Sequence, residues 1–119
     1  MSQAKLTLNI RSMGEQVSII DIQGDVTGTA DAAFTDVYAK ASTARMIILN
    51  FSGLEYMNSS GIGLLVTLLI RTQRQGQKLT ACGLTDHYRE IFELTRLNEA
   101  IMLFASETDA LASFSGSHI

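Results

Sequence analysis

Two adjacent serines, Ser59 and Ser60, are the residues best suited to chemistry, and they precede Gly61 and Gly63 in the stretch LEYMNSSGIGLLVTLLI. At the start of a helix, either hydroxyl or the Asn58 side chain could cap the helix by accepting a hydrogen bond from a free backbone N–H. A hydroxyl there could also accept a phosphoryl group, since free N–H groups and the helix dipole favour an anion at that end. The pattern alone favours the cap, because short serine–glycine motifs often match by chance.

A hydrolase nucleophile fits either serine poorly. Neither serine has the preceding glycine of a G-x-S-x-G elbow, and His87 and His118 lie at a later helix and near the C-terminus. Asp21, Asp25 and Asp31 are spread over a strand and a loop and are expected to be ordinary surface acids. The sequence offers no paired carboxylates, metal-ligand cluster or P-loop, so we expect no enzyme, no metal and no cofactor of its own.

The composition indicates one domain with its own core, because 46% of the 119 residues are hydrophobic. The net charge of -3 and the scattered Lys and Arg residues argue against nucleic-acid binding. The one cysteine, Cys82, lies in the apolar stretch KLTACGL and is expected to be buried. The N-terminus does not resemble a signal peptide, and the longest apolar run, residues 62–70, is too short to span a membrane. We therefore expect a cytoplasmic protein.

Hydrophobic periodicity predicts the elements that position the serines. Alternating residues predict an antiparallel hairpin, and an apolar run predicts a central strand ending near Phe51. Helical spacing predicts one amphipathic helix before that strand and one after it. Three more elements and a final short helix follow. The predicted elements are strands at 5–11, 16–24, 46–51, 76–83 and 100–106, and helices at 29–42, at 59–75, from Thr85 or Asp86, and from Ser106 or Glu107. This order predicts an α/β fold with a mostly parallel five-stranded sheet, an antiparallel N-terminal edge strand, about four helices, and helices on both faces.

The helix that follows the serines is unusually apolar. One stripe at helical spacing is expected to face the sheet, and its members are Ile62, Leu65, Val66, Leu69 and Ile70. Leu64 and Leu68 fall on another face. Either a neighbouring helix covers them or they form an exposed apolar patch beside the serines, and such patches mark partner sites.

The stretch MIILNFSGLEYMNSSGIGLLVTLL resembles the signature of the STAS domain in small bacterial anti-sigma factor antagonists. In that family an apolar strand leads through a short loop to a D-S-S-G or D-T-S-G turn and a helix. VSIIDIQGDVTGTADAAF is similar to the family's second strand, its G-D/E-hydrophobic loop and its first helix. GQKLTACGLTDHYREIFELTRLNEAIMLF is similar to its fourth strand, third helix and last strand. The resemblance covers residues 6–111, and we expect a STAS domain at 1–113. The C-terminal residues SFSGSHI are typical of a frayed end, so a flexible tail is expected at 114–119.

The resemblance implies a regulatory function in bacterial transcription. The unphosphorylated antagonist binds an anti-sigma factor that is also a serine kinase, and so frees the sigma factor. The kinase, using Mg-ATP that it binds itself, then phosphorylates the first serine of the turn, and a serine phosphatase reverses this. Carried over, Ser59 would be the phosphoacceptor. With the two leucines, the expected partner-binding residues are Gly24, Asp25, Val26, Thr27, Asn58, Ser59, Ser60, Gly61, Leu64 and Leu68.

Asn58 departs from the family pattern, because it stands where the family usually has Asp. This change removes a negative charge next to the expected phosphoacceptor. The sequence also lacks the proline often found before the third helix, where Thr85 and Asp86 are the expected cap. Asn58 favours an alternative: a constitutive STAS scaffold or accessory subunit, of a lipid transporter or a signalling complex, in which Ser59 is only part of the helix start.

Overall fold

A five-stranded sheet organises residues 5–116, which are the residues that this computed structural model describes. The strands stand in chain order across the sheet. The first two form an antiparallel hairpin, and each later strand is parallel to the one before it. The strands are β1 (Thr7–Met13), β2 (Val17–Val26), β3 (Met46–Met57), β4 (Lys78–Cys82) and β5 (Met102–Phe104). The predicted fold class, with its antiparallel edge strand, is confirmed.

The predicted alternation of strands and helices after the hairpin is also confirmed. The helices are α1 (Asp31–Ala41), α2 (Ser59–Arg74), α3 (Asp86–Leu94) and α4 (Glu107–Gly116), with 3₁₀ turns at Gly28–Ala30 and Leu97–Glu99. Thr85 caps α3 by accepting from the Tyr88 N–H, which is one of the two caps that the sequence predicts there. α2 is followed by Gly76, whose φ of 70° reverses the chain toward β4.

The two faces of the sheet are covered unequally. Alternate strand residues point to opposite faces, so Ile20, Ile47 and Leu49 pack against α1, α2 and α3, whereas Ile19 and Ile48 pack beneath α4. Helices therefore lie on both faces, as expected, but the helices of all three crossovers share one face. From β2 onward, each new strand is added on the same side of the previous one. Because crossovers between parallel strands are right-handed, all three connecting helices then lie on the same face of the sheet.

Several predicted boundaries differ from the observed ones, and β2 runs to Val26 rather than ending at Gly24. β3 runs to Met57 rather than ending near Phe51, because after two register shifts its second half still pairs with β2, up to Val26 opposite Met57. β5 is shorter than predicted, since a 3₁₀ turn at Leu97–Glu99 and a bend precede it. α4 continues through Gly116, beyond the predicted start of the tail at residue 114; residues 117–119 lie outside the described part of the chain.

α2 is rotated relative to the predicted stripe. The residues that it buries are Gly61, Leu65, Leu68, Leu69 and Thr72. The expectation that Val66 and Ile70 face the sheet is wrong, because they are 36% and 44% exposed. α1 lies against the side of α2 that carries Leu64 and Leu68, which leaves Leu68 only 3% exposed. Of the two interpretations of these leucines, the neighbouring helix is therefore correct.

A polar cluster joins α4 to the hairpin. The Arg11 guanidinium donates to Asp21 at 2.7 and 2.8 Å and to Glu107 at 2.6 and 3.2 Å. The bond from Arg11, with a further bond from the Asn50 amide at 2.8 Å, holds the pKa of Asp21 below its usual range. Cys82 is buried on this face as predicted, and its burial raises the pKa of the thiol to about 11.

Candidate functional site

The serine turn begins where β3 ends. Asn58 has extended backbone angles, and its Oδ1 accepts a hydrogen bond from the Gly61 N–H at 2.9 Å. Asn58 is therefore the cap of α2, and Ser59 is the first helical residue. Ser59 and Ser60 are both exposed. Because Asn58 makes the cap, the serine hydroxyls are not needed to start the helix.

Neighbouring elements hold the turn in place. The Asn58 N–H donates to the Val26 carbonyl at the end of β2 at 3.3 Å, and the Met57 N–H donates to the Tyr88 hydroxyl of α3 at 2.9 Å. Gly61 lies directly on the backbone of Val26. A Cβ at position 61 would lie 2.9 Å from the Val26 carbonyl carbon and 3.0 Å from Met57 Cγ, inside van der Waals contact. Only glycine fits there without displacing the helix.

The end of β2 and the residue that follows it lie beside the turn, as the resemblance implies, but Gly24, Asp25 and Val26 are part of the strand and not of a loop as predicted. Gly24 has a φ of 94°, and the β2–β3 register shifts between Gly24 and Asp25. Asp25 and Thr27 are half-buried, whereas the Val26 side chain is fully buried in the core. Val26 therefore faces the core, and Asp25 and Thr27 are the residues at this end of β2 that present side chains to the surface.

The 3₁₀ turn at Gly28–Ala30 brings a second part of the loop against the serines. A Cβ at Gly28 would lie 3.2 Å from the Ser60 Cβ, so the backbone at Gly28 packs closely on Ser60. The hydroxyls of Thr27 and Thr29 are 3.0 Å apart. Ser60 thus has Gly28 as its neighbour, one residue beyond the segment from Gly24 to Thr27 that the resemblance groups with the serines.

The start of α2 favours an anion. The first helical turn carries free backbone N–H groups and the positive end of the helix dipole. The first turn of α2 contains no acidic residue that would neutralise this end. A phosphate on Ser59 would be placed at this positive end of the helix.

An exposed row on α2 begins at Ser59. Residues i, i+4, i+7 and i+11 share one helix face, which here are Ser59, Gly63, Val66 and Ile70, all exposed. The row is uncharged, and it extends about 17 Å along the helix. It is exposed in place of the patch that Leu64 and Leu68 would form in the second of the two alternatives above, because α1 covers those two leucines. We call these four residues the α2 row.

The structure brings together most of the residues that the sequence selected. Gly24 to Thr27 and Asn58 to Gly61 form one continuous region at the ends of β2 and β3. Leu68 lies in the core, so the alternative in which it is exposed is wrong, and Leu64 is half-buried against α1. Sequence analysis did not identify Tyr88 at this site. The structure places its ring in the core.

His87 is exposed on α3, where the centroid of its ring lies 4.8 Å from the centroid of the neighbouring Tyr88 ring. Within residues 5–116, no group of three or more His, Cys, Asp or Glu side chains is arranged to hold a metal ion. In the same part of the chain, every helix is too short or too polar to cross a bilayer.

Comparison with known proteins gives a consistent result. The sequence model of the STAS domain family matches residues 12–110. The chain is similar to the anti-sigma factor antagonist SpoIIAA in its unphosphorylated form, with a TM-score of 0.74 and 18% identity over 92% of this chain and 99% of that chain. The chain is also similar to the Bacillus cell fate determinant SpoIIAA in the phosphorylated form, with a TM-score of 0.72 and 20% identity over 91% of this chain and 99% of that chain. A sulfate transporter family protein from Wolinella succinogenes is similar at a TM-score of 0.75 and 19% identity, over 87% of this chain and 88% of that chain. At these identities the likeness to solved structures shows the fold.

Proposed function

Because this chain belongs to the STAS domain family, we propose that it is an anti-sigma factor antagonist whose binding is switched by phosphorylation of Ser59. The partner is an anti-sigma factor that is also a serine kinase and supplies Mg-ATP from its own site. A serine phosphatase reverses the modification. The chain itself acts by binding, in the cytoplasm, and contributes a hydroxyl and a docking surface.

The exposure of Ser59 on a turn that is hydrogen-bonded to Val26 and Tyr88 is the observation that carries this proposal. A kinase needs a hydroxyl that it can reach, and Ser59 is exposed while Met57 and Gly61 on either side are buried. Asn58 makes the helix cap through its own Oδ1. Modification of Ser59 therefore leaves the cap intact, and the fold can tolerate both forms of the protein.

The docking surface combines the serine turn with its neighbours. It comprises Asp25 and Thr27 at the end of β2, the exposed serines, and the apolar end of the α2 row at Val66 and Ile70. Apolar side chains beside an exposed polar turn are typical of recognition surfaces. Leu68 takes no direct part, because it is buried.

A phosphate at Ser59 would oppose binding at this surface. It adds about -1.5 to -2 charges at pH 7 at one end of the uncharged α2 row. A partner that covers the row must either desolvate this group or meet it with an unfavourable charge, and a cost of about 4 kcal/mol weakens binding about a thousandfold. The bound and released states then differ by charge, with no change of fold. SpoIIAA, which shares this fold, has been solved in an unphosphorylated and a phosphorylated form.

The proposal is tested by incubating the protein with a candidate anti-sigma factor kinase and Mg-ATP, followed by mass spectrometry of the peptide that contains both serines. We expect one phosphate on Ser59, none in the Ser59→Ala variant, and normal modification of the matched control Ser60→Ala. By calorimetry, Ser59→Ala should bind the kinase like the wild type, and Ser59→Asp more weakly. Equal affinities of wild type and Ser59→Asp would refute the switch.

A constitutive STAS scaffold is the second candidate. Two observations favour it: the cap at Asn58 is neutral, and the fold is similar to that of a sulfate transporter family protein. In that case Ser59→Ala and Ser59→Asp would both leave partner binding unchanged, and no phosphate would appear on the serine turn in protein isolated from cells.

A further inference from the structure

The hydroxyl of Tyr88 is bonded to the strand that carries the serine turn. Tyr88 lies in the first turn of α3 and is 8% exposed. Its oxygen accepts a hydrogen bond from the Met57 N–H at 2.9 Å, and this bond is buried. Met57 is the last residue of β3 and is separated from Ser59 only by the cap residue Asn58.

The Met57 N–H needs this acceptor because β3 extends beyond its neighbour. The last pairing of β3 with β4 is Asn50 opposite Cys82, so the second half of β3 has no strand on that side. Successive N–H groups of a strand point to opposite sides. The N–H of Asn58 points to β2 and donates to Val26, and the N–H of Met57 therefore points to the open side. The Tyr88 hydroxyl stands where a β4 carbonyl would otherwise accept.

We propose that Tyr88 is a positioning residue for the serine turn: its hydroxyl fixes the end of β3 and thereby the placement of Asn58 and Ser59. β2 holds the turn from one side through Val26, and α3 holds it from the other through Tyr88. What the turn does for a partner rests on the function proposed above. The positioning itself does not, and it can be measured without any partner.

The substitution Tyr88→Phe isolates the hydroxyl. The ring belongs to the core beneath α3, and phenylalanine keeps that packing while removing the acceptor. A buried N–H that loses its partner is expected to open about tenfold more often. Tyr38→Phe is a matched control, because the Tyr38 hydroxyl also makes a partly buried hydrogen bond, to Gln77 Oε1 at 2.7 Å, far along the chain from the turn.

Amide hydrogen exchange by NMR distinguishes positioning from a general loss of stability. In Tyr88→Phe we expect the exchange rates of the Met57, Asn58 and Gly61 amides to rise about tenfold more than those of the sheet. The amides of Ile48 and Leu49 report any change common to the sheet. Tyr38→Phe should show no such excess at the turn. If the turn amides change only by the factor seen at Ile48 and Leu49, Tyr88 is an ordinary core residue and the proposal is wrong.

A second measurement follows the position of Ser59 itself. In a Cys82→Ser background, Ser59→Cys places a thiol at the start of α2, where the N–H groups and dipole lower its pKa below about 8.5. Adding Tyr88→Phe should move that pKa, read from the pH dependence of alkylation, back toward its ordinary value. Faster exchange at Met57 without this shift would show that Tyr88 holds the strand end but not Ser59, and would overturn the proposal. Neither readout depends on whether Ser59 is phosphorylated.

Discussion

Replacing Gly61 by alanine tests the claim that α2 starts directly on the backbone of β2. The added Cβ would lie 2.9 Å from the Val26 carbonyl carbon, about 0.6 Å inside the shortest favourable carbon contact. It would also lie against the Val26 oxygen, which accepts from the Asn58 N–H. The obstacle is backbone, which cannot rotate away, so the start of α2 must move outward.

The expected cost follows from three contributions. Overpacking of this kind costs about 1–3 kcal/mol, and the immobile backbone places it near the upper end. Weakening of the bond from the Asn58 N–H to Val26, 3.3 Å long, adds about 1 kcal/mol. Alanine has a higher helix propensity than glycine, and this reduces the loss of stability by about 1 kcal/mol. The free energy of unfolding should therefore fall by about 2–3 kcal/mol, which corresponds to a melting temperature lower by about 8–12 °C in a domain of this size.

Urea denaturation and thermal melting of Gly61→Ala and Gly63→Ala form a matched pair in the same helix. No atom lies within 4 Å of a Cβ built on Gly63, so Gly63→Ala should raise the free energy of unfolding by about 0.5–1 kcal/mol. The two variants are thus expected to shift stability in opposite directions. If Gly61→Ala is as stable as Gly63→Ala, the close approach of α2 to Val26 is not a feature of the folded protein.

Three further predictions concern the core and the face beneath α4. Leu68→Ala should lower the free energy of unfolding by about 2–5 kcal/mol and the exposed Ile70→Ala by less than about 1 kcal/mol; equal losses would contradict the observed rotation of α2. Because folding lowers the pKa of Asp21, the stability from its ion pair is present above the unfolded value of about 3.9 and is lost as the pH falls through the folded pKa. Urea titrations across that range should show a steeper loss for wild type than for Asp21→Asn, and parallel curves would refute this. The Cys82 thiol, whose pKa is raised to about 11, should react with a thiol reagent at pH 8 only as fast as the protein opens, and fast labelling without urea would show that α4 does not cover it.

The sequence predicted the architecture well because each part of it leaves a local trace. Alternation in β1, the apolar run at the start of β3 and the helical spacing after it depend on which residues neighbour one another along the chain. Asn58 could be recognised as a possible cap, and Ser59 as a possible phosphoacceptor, for the same reason. The resemblance to the family placed Gly24 to Thr27 beside the serine turn, and the parallel pairing of β2 with β3 brings the ends of these two strands to one edge of the sheet.

Boundaries set by pairing could not be predicted in this way. The second half of β3 has no strong apolar run of its own, and it is a strand because β2 continues beside it as far as Val26. The bond from Tyr88 to Met57 joins positions 31 residues apart and has no signature in either segment.

The amino-acid sequence by itself therefore determined the order of the elements, the fold class and the turn on which the proposed site is built. Only the tertiary structure decided which face of α2 is buried. α2 carries apolar residues on most sides, so its periodicity predicts that one face is buried but does not identify which one. The packing of α1 against Leu64 and Leu68 leaves Val66 and Ile70 facing solvent. The same packing leaves exposed the face of α2 that carries Ser59, Val66 and Ile70, because contacts between distant segments, and not the local pattern, set the rotation of a helix.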